Sequence, residues 1–304
     1  MIIDAHCHIW EKRLVQAGMK DLLESVAAEL RIQNPESIWN GSIERLIHDM
    51  DEAGIDKTVI LPLDFEFLRS GGDFSFRAFN DLAGAYAYAK RYPNRIVAFA
   101  GIDPRRGVAA VAELRRCVEE MGFRGLKLWT VSGFFPDDES YYPLYEEAAR
   151  LGVGVLVHTG LGPGESYLKT CRPVYVDKIA VDFRQVNFIL AHVGTPWVDE
   201  ALAVALKNPN VYVDISAWQR VARNFALGFA QVLSVAKLMH GGTQKVLFGS
   251  DWPLFTEIYT QKQWVDAVRG LEYPPALQMM GLPEITEEDK ARILGTNALQ
   301  ALGL

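Results

Sequence analysis

YYPLYEEAARLGVGVLVHTG, residues 141–160, joins two patterns at a glycine. Its first half spaces apolar residues as a helix does and ends at Gly152, a residue suited to stopping a helix. Its second half is a short, nearly continuous apolar run, as parallel strands covered by helices carry, and it closes on His158. The alternation recurs along the chain. Strand-like runs are MIIDAHCHI (1–9), KTVILPL (57–63), RIVAFAGI (95–102), FRGLKLW (123–129), GVGVLVHTG (152–160), VNFILAHVG (186–194), NVYVDIS (210–216) and KVLFGSDWP (245–253). Helix-like stretches such as SIERLIHDMDEAG, VAAVAELRRCVEEMG and WVDEALAVALKNP lie between them. Eight such units in 304 residues predict an α/β chain folded as a single (β/α)8 TIM barrel spanning 1–304. A doubly wound open sheet is the alternative, but no glycine-rich phosphate loop follows the first strand.

Composition narrows the function. The chain is 49% hydrophobic with a net charge of −7, and its charges are mixed along the sequence. That argues against a nucleic-acid binder, which usually shows a basic patch. Cys7, Cys117 and Cys171 are too few and too scattered for a disulfide framework or a structural zinc site. No basic leader and no apolar span long enough for a membrane is visible, so the cytoplasm is the expected compartment. One insertion departs from the βα rhythm. Residues 10–40, with LVQAGMKDLLESVAAELRI, look amphipathic, and in a barrel they would form a lid over the mouth, a subunit contact in a homodimer, or plain helical decoration.

In such barrels the active site lies at the C-terminal ends of the strands. His6 and His8 end the first strand, Lys127 lies near the end of the fourth, His158 ends the fifth, His192 the sixth and Asp251 the eighth. In a regular strand Ile2, Asp4, His6 and His8 share one face, placing Asp4 one layer below His6, while Ile3, Ala5 and Cys7 share the other. Cys7 then reads as a small buried residue facing the helices. The same parity turns Phe123, Gly125 and Trp129 inward with Lys127. His48 and His240 fall in helical or loop sequence and read as ordinary surface residues. Imidazoles and a carboxylate gathered at one mouth suit a borderline divalent ion, zinc first, with manganese or iron as alternatives.

The ordered set DAHCH, DEAGIDKTVI, YPNRIVAFAGIDP, GFRGLKLW, VLVHTG, ILAHVG, LFGSDWP and ILGTNALQALGL resembles the amidohydrolase superfamily over nearly the whole chain. The likeness is to its amidohydrolase-related branch, which includes aminocarboxymuconate-semialdehyde and resorcylate decarboxylases, a pyrone-dicarboxylate lactonase and oxalomesaconate hydratase. By position, the resemblance implies His6, His8, His158 and Asp251 as ligands of one metal ion and His192 as the histidine that acts on substrate or binds a second ion. In binuclear members a carboxylated lysine bridges two metals, which makes Lys127 the alternative bridge. The favoured role for Lys127 is a cation for a substrate carboxylate, with Trp129 walling the pocket. A metal-activated water, with Asp251 taking its proton, then predicts a hydrolase of a small carboxylated lactone, ester or amide. The alternative is a non-oxidative decarboxylase or hydratase of a small unsaturated or aromatic acid. A barrel that binds without catalysis is the third reading.

Overall fold

The computed structural model describes residues 1–11, 17–67, 76–87, 92, 94–164 and 166–304. Every strand-like run contains a strand: β1 Ile3–Cys7, β2 Lys57–Ile60, β3 Ile96–Gly101, β4 Gly125–Leu128, β5 Gly154–Val157, β6 Phe188–Leu190, β7 Val211–Asp214 and β8 Val246–Leu247. Each pairs in parallel with the next in sequence. The ring closes between its ends, where Ala5 N–H donates to the Phe248 carbonyl at 2.9 Å and Asp251 N–H to the His6 carbonyl at 2.7 Å. This is the expected TIM barrel.

Helices fill the connections. They are α1 Ala17–Glu29, α2 Glu36–Trp39, α3 Ile43–Ala53, α4 Phe76–Ala87, α5 Val108–Glu119, α6 Tyr142–Leu151, α7 Tyr175–Asp182, α8 Val198–Lys207, α9 Gln219–Asn224 and α10 Ala226–His240. After β8 come α11 Gln261–Arg269, α12 Pro275–Met279, α13 Glu287–Ala291 and α14 Asn297–Leu302. The punctuation read from sequence holds at α3, where the Ser42 hydroxyl accepts from Arg45 N–H and Gly54 takes a left-handed φ of 67°. No helix among the described residues is long and apolar enough to cross a membrane.

Two apolar layers hold the barrel. Outside, Leu126, Leu128, Val155 and Val157 face the helices. Inside, Ile3, Val59, Phe99, Leu156 and Ile189 pack together with Ala298 and Leu302 of α14. Helix α14 sits at the N-terminal ends of the strands, where Asn187, just before β6, donates to the Ala301 carbonyl at 3.1 Å. Burying each large side chain contributes about 1.5–3 kcal/mol. Gly125 makes this interior possible, because a Cβ there would lie 2.3 Å from the Phe99 ring.

The parity expected in the first strand fails at one point. Asp4 pairs with Thr58, but Cys7 pairs with Ile60, so three steps of β1 oppose two of β2. This bulge reverses the alternation. Ile3 and Ala5 face the interior, and His6 and His8 then turn inward as well. Asp4 is therefore not a deeper layer of the histidine face. It lies with Cys7 toward α11, where Gln261 Nε2 donates to Asp4 Oδ2 at 3.0 Å and lies 3.7 Å from the Cys7 thiol. Cys7 is buried on the helix side, as its parity suggested. Phe123 also departs from expectation and packs in the outer layer, because β4 begins at Gly125 and inward alternation starts there.

Of the insertion at 10–40, residues 12–16 lie outside the described residues. In the rest, Met19, Leu23 and Val26 of α1 and Ile38 of α2 pack with Trp10, Phe65 and Trp129 over the mouth. His48 is exposed on α3. His240 is half-buried, with Nε2 3.1 Å from the Leu202 carbonyl.

Candidate metal centre and active-site pocket

A cavity of about 390 Å³ opens at the C-terminal ends of the strands. His8, Lys127, His158, His192 and Asp251 line it, Trp10, Leu23, Phe65, Trp129 and Trp218 form apolar walls, and Arg220 borders it. His6 belongs to the same group, with its ring centroid 4.9 Å from that of His192 and 5.2 Å from that of His8. His158 and His192 are 5.0 Å apart by the same measure. The candidate residues thus converge from five different strand ends. The backbone is held in the left-handed region at His192 (φ 60°), Ala217 (φ 63°) and Asp251 (φ 55°), which costs about 1–3 kcal/mol per residue and is characteristic of functional sites.

Hydrogen bonds fix which ring nitrogens face the cavity. His8 Nδ1–H donates to the Leu61 carbonyl at 2.7 Å, and His6 Nδ1–H to Asp214 Oδ2 at 2.9 Å. Each ring is left with a bare lone pair on Nε2. These lone pairs point at another acceptor: Asp251 Oδ1 lies 3.1 Å from His8 Nε2 and 3.6 Å from His6 Nε2. Such an arrangement is stable with a cation between the groups. Among the described residues, His6 Nε2, His158 Nε2, Asp251 Oδ1 and Lys127 Nζ are buried with no hydrogen-bond partner, a condition that costs about 1–3 kcal/mol per group. His6, His8 and Asp251 also bring ligand atoms within 4.8 Å of one another, as do His6, His192 and Asp214. Nitrogen and carboxylate donors in this number fit a divalent ion.

Protonation suits that purpose. Burial lowers the pKa of His6 to about 4, helped by the Lys127 charge, and lowers those of His158 and His192. Burial alone would raise the Asp251 pKa; positive charge shared with His8 and the neighbouring imidazoles holds it well below the usual carboxylate range. Burial lowers Lys127 to about 8 against the pull of Asp214 and Asp251.

The chemistry-bearing residues that sequence reasoning missed are Asp214, Ser216 and Arg220. Asp214 is fully buried, and both its oxygens are engaged. Oδ2 takes His6, while Oδ1 takes the backbone N–H groups of His192 at 3.1 Å and Ser216 at 2.9 Å. The available signal was position, since NVYVDIS is a strand run that ends in Asp-Ile-Ser. Arg220 of α9 donates to the Leu30 carbonyl, a pairing across the mouth that no local pattern announces.

A profile of the family described as amidohydrolase matches residues 3–304. The chain belongs to the amidohydrolase family. The chain is 27% identical over 297 residues to a γ-resorcylate decarboxylase of Rhodococcus jostii, covering 82% of this chain and 84% of that protein. It is 25% identical over 246 residues to the 2-amino-3-carboxymuconate-6-semialdehyde decarboxylase of Dictyostelium discoideum, covering 70% of this chain and 62% of that one. Among solved structures, the barrel superposes with a TM-score of 0.70 on the 5-carboxyvanillate decarboxylase of Novosphingobium aromaticivorans, solved with manganese. Identity there is 17%, over 100% of this chain and 96% of that one. These relatives are decarboxylases, the alternative of the sequence analysis rather than its favoured hydrolase.

Proposed function

We propose that this chain is a metal-dependent, non-oxidative decarboxylase of a small unsaturated or aromatic carboxylic acid. The observation that carries the reading is the Lys127 ammonium, without a hydrogen-bond partner among the described residues and buried beside the bare donors of His6, His158 and Asp251 under apolar, aromatic walls. His6, His8, His158 and Asp251 would hold one divalent ion. That ion, when bound, supplies a Lewis acid that draws charge from a substrate oxygen.

The chain's own residues account for the rest. Lys127 binds the carboxylate by a charge-assisted hydrogen bond. Trp129 and Phe65, edge to face at 5.2 Å between centroids, present flat apolar surface to a planar substrate and exclude water. An apolar wall disfavours the carboxylate and favours neutral CO2, because charge is expensive to bury. The net step is R–CO2⁻ + H⁺ → R–H + CO2. The carbon–carbon bond breaks, its electron pair stays on the substrate carbon, and a proton arrives there. His192 and Asp251 are the groups at the pocket floor that can hold and pass that proton. Helix α1 acts as a lid over the substrate. The sequence favoured zinc, whereas manganese accompanies the structural neighbour, and elemental analysis separates the two.

The test is metal content together with CO2 release from a panel of hydroxybenzoates, carboxyvanillates and unsaturated diacids. The expected result is about one ion per chain, lost in His158→Ala and kept in His192→Ala, whose turnover falls by about 10²–10⁴-fold. Two ions per chain, one of them lost in both His192→Ala and Lys127→Ala, would replace this site with a binuclear one bridged by carboxylated Lys127. Hydrolysis of carboxylated lactones without CO2 release would restore the hydrolase reading.

A further inference from the structure

Ser216 stands at a junction below the mouth. Its hydroxyl donates to Asp214 Oδ1, lies 2.7 Å from His192 Nδ1 and 3.1 Å from His6 Nδ1. A serine hydroxyl has one proton to give. With that proton directed at the carboxylate, the oxygen can do no more than accept from the two rings, so His192 must carry its own proton on Nδ1. The Ser216 carbonyl, 3.3 Å from the same nitrogen, is also an acceptor and imposes the same tautomer more weakly. His6 faces Asp214 Oδ2 and is fixed in the same way. Both imidazoles therefore turn a bare Nε2 lone pair upward. Asp214 and Ser216 are fully buried, and neither lines the cavity, so neither touches substrate.

We propose that Asp214 and Ser216 form one positioning unit that sets the Nδ1–H tautomer of His6 and His192 together. Ion binding at His6 and proton handling at His192 then depend on a single carboxylate, with Ser216 as the branch that reaches His192. The roles of the two histidines rest on the decarboxylase reading; the tautomers do not. Partners of this kind contribute about 10–100-fold to metal affinity or activity.

The test reads ring tautomers directly, by long-range ¹H–¹⁵N correlation on metal-free protein labelled at histidine, alongside divalent-ion titration and CO2 release. In the wild type both rings are expected as Nδ1–H. Asp214→Asn offers His6 an amide donor in place of an acceptor, so the ring should shift toward Nε2–H and manganese or zinc affinity should fall by about 10–100-fold. Ser216→Ala should leave His6 and ion affinity unchanged, mix the tautomers of His192 and lower turnover by about tenfold. Ser216→Thr, which keeps a hydroxyl, should restore both. A wild-type His192 protonated at Nε2 would overturn the proposal without any variant. Unchanged tautomer and rate in Ser216→Ala would also overturn it, by assigning the role to the backbone carbonyl. A wild type that has both tautomers as expected but binds no ion or releases no CO2 would sink the decarboxylase reading and leave the tautomer assignment standing.

Discussion

Two buried aspartates flank the seam between the first and last strands, and they are treated in opposite ways. Asp4, on the helix side, has a donor for each oxygen: Ser250 N–H at 2.9 Å and His6 N–H at 3.2 Å on Oδ1, and Gln261 at 3.0 Å on Oδ2. Asp251, on the cavity side, has Oδ1 facing ring nitrogens that carry no proton. One carboxylate is a structural tie whose hydrogen bonds are complete. The other is left incomplete among the described residues. The comparison teaches where to look for function in this barrel: where several groups that folding alone does not satisfy, here Asp251, His158 and Lys127 with His6 beside them, face one cavity.

The same isosteric change should therefore act with opposite sign at the two positions. The largest effect is expected at Asp251→Asn. CO2 release should fall by at least about 10²–10⁴-fold and bound ion should disappear. The metal-free variant should nevertheless unfold at higher denaturant, by about 1 kcal/mol, because the amide can donate to His8 Nε2. A metal-free variant less stable than the wild type would break the comparison. Next in size, Lys127→Gln should raise KM by about 10–100-fold, the range of a lost charge-assisted hydrogen bond of about 1.5–3 kcal/mol, with ion content intact by elemental analysis. Asp4→Asn should destabilise by about 1–3 kcal/mol in denaturant titration, since its amide meets donors, and should still bind the ion. The smallest effect is expected at His48→Ala, an exposed position on α3, where both stability and activity should stay within about 0.5 kcal/mol of wild type.

The barrel was legible because each strand is buried on both sides and so writes a continuous apolar run. His6, His8, Lys127, His158, His192 and Asp251 were legible because strand ends converge in this fold. Other features depend on relations between strands. The bulge that turns Asp4 outward arises from the register of Asp4 and Cys7 against β2, which the first strand does not encode alone. Asp214 and Ser216 gain their meaning from rings 208 and 24 residues away. Arg220 gains its place from Leu30, 190 residues earlier.

The left-handed backbone at His192, Ala217 and Asp251 has a consequence for how the enzyme tolerates change. Three such residues together cost a few kcal/mol, comparable to much of the net stability of an ordinary domain. The packed floor, with Phe99, Leu156 and the closing helix α14, must offset it. Substitutions far from the mouth can then abolish activity without altering any pocket contact, by shrinking the margin that keeps these residues in an unfavourable conformation. Drift in the floor and drift in the mouth are not independent, and an inactive variant of this chain should first be checked for folding before its pocket is blamed.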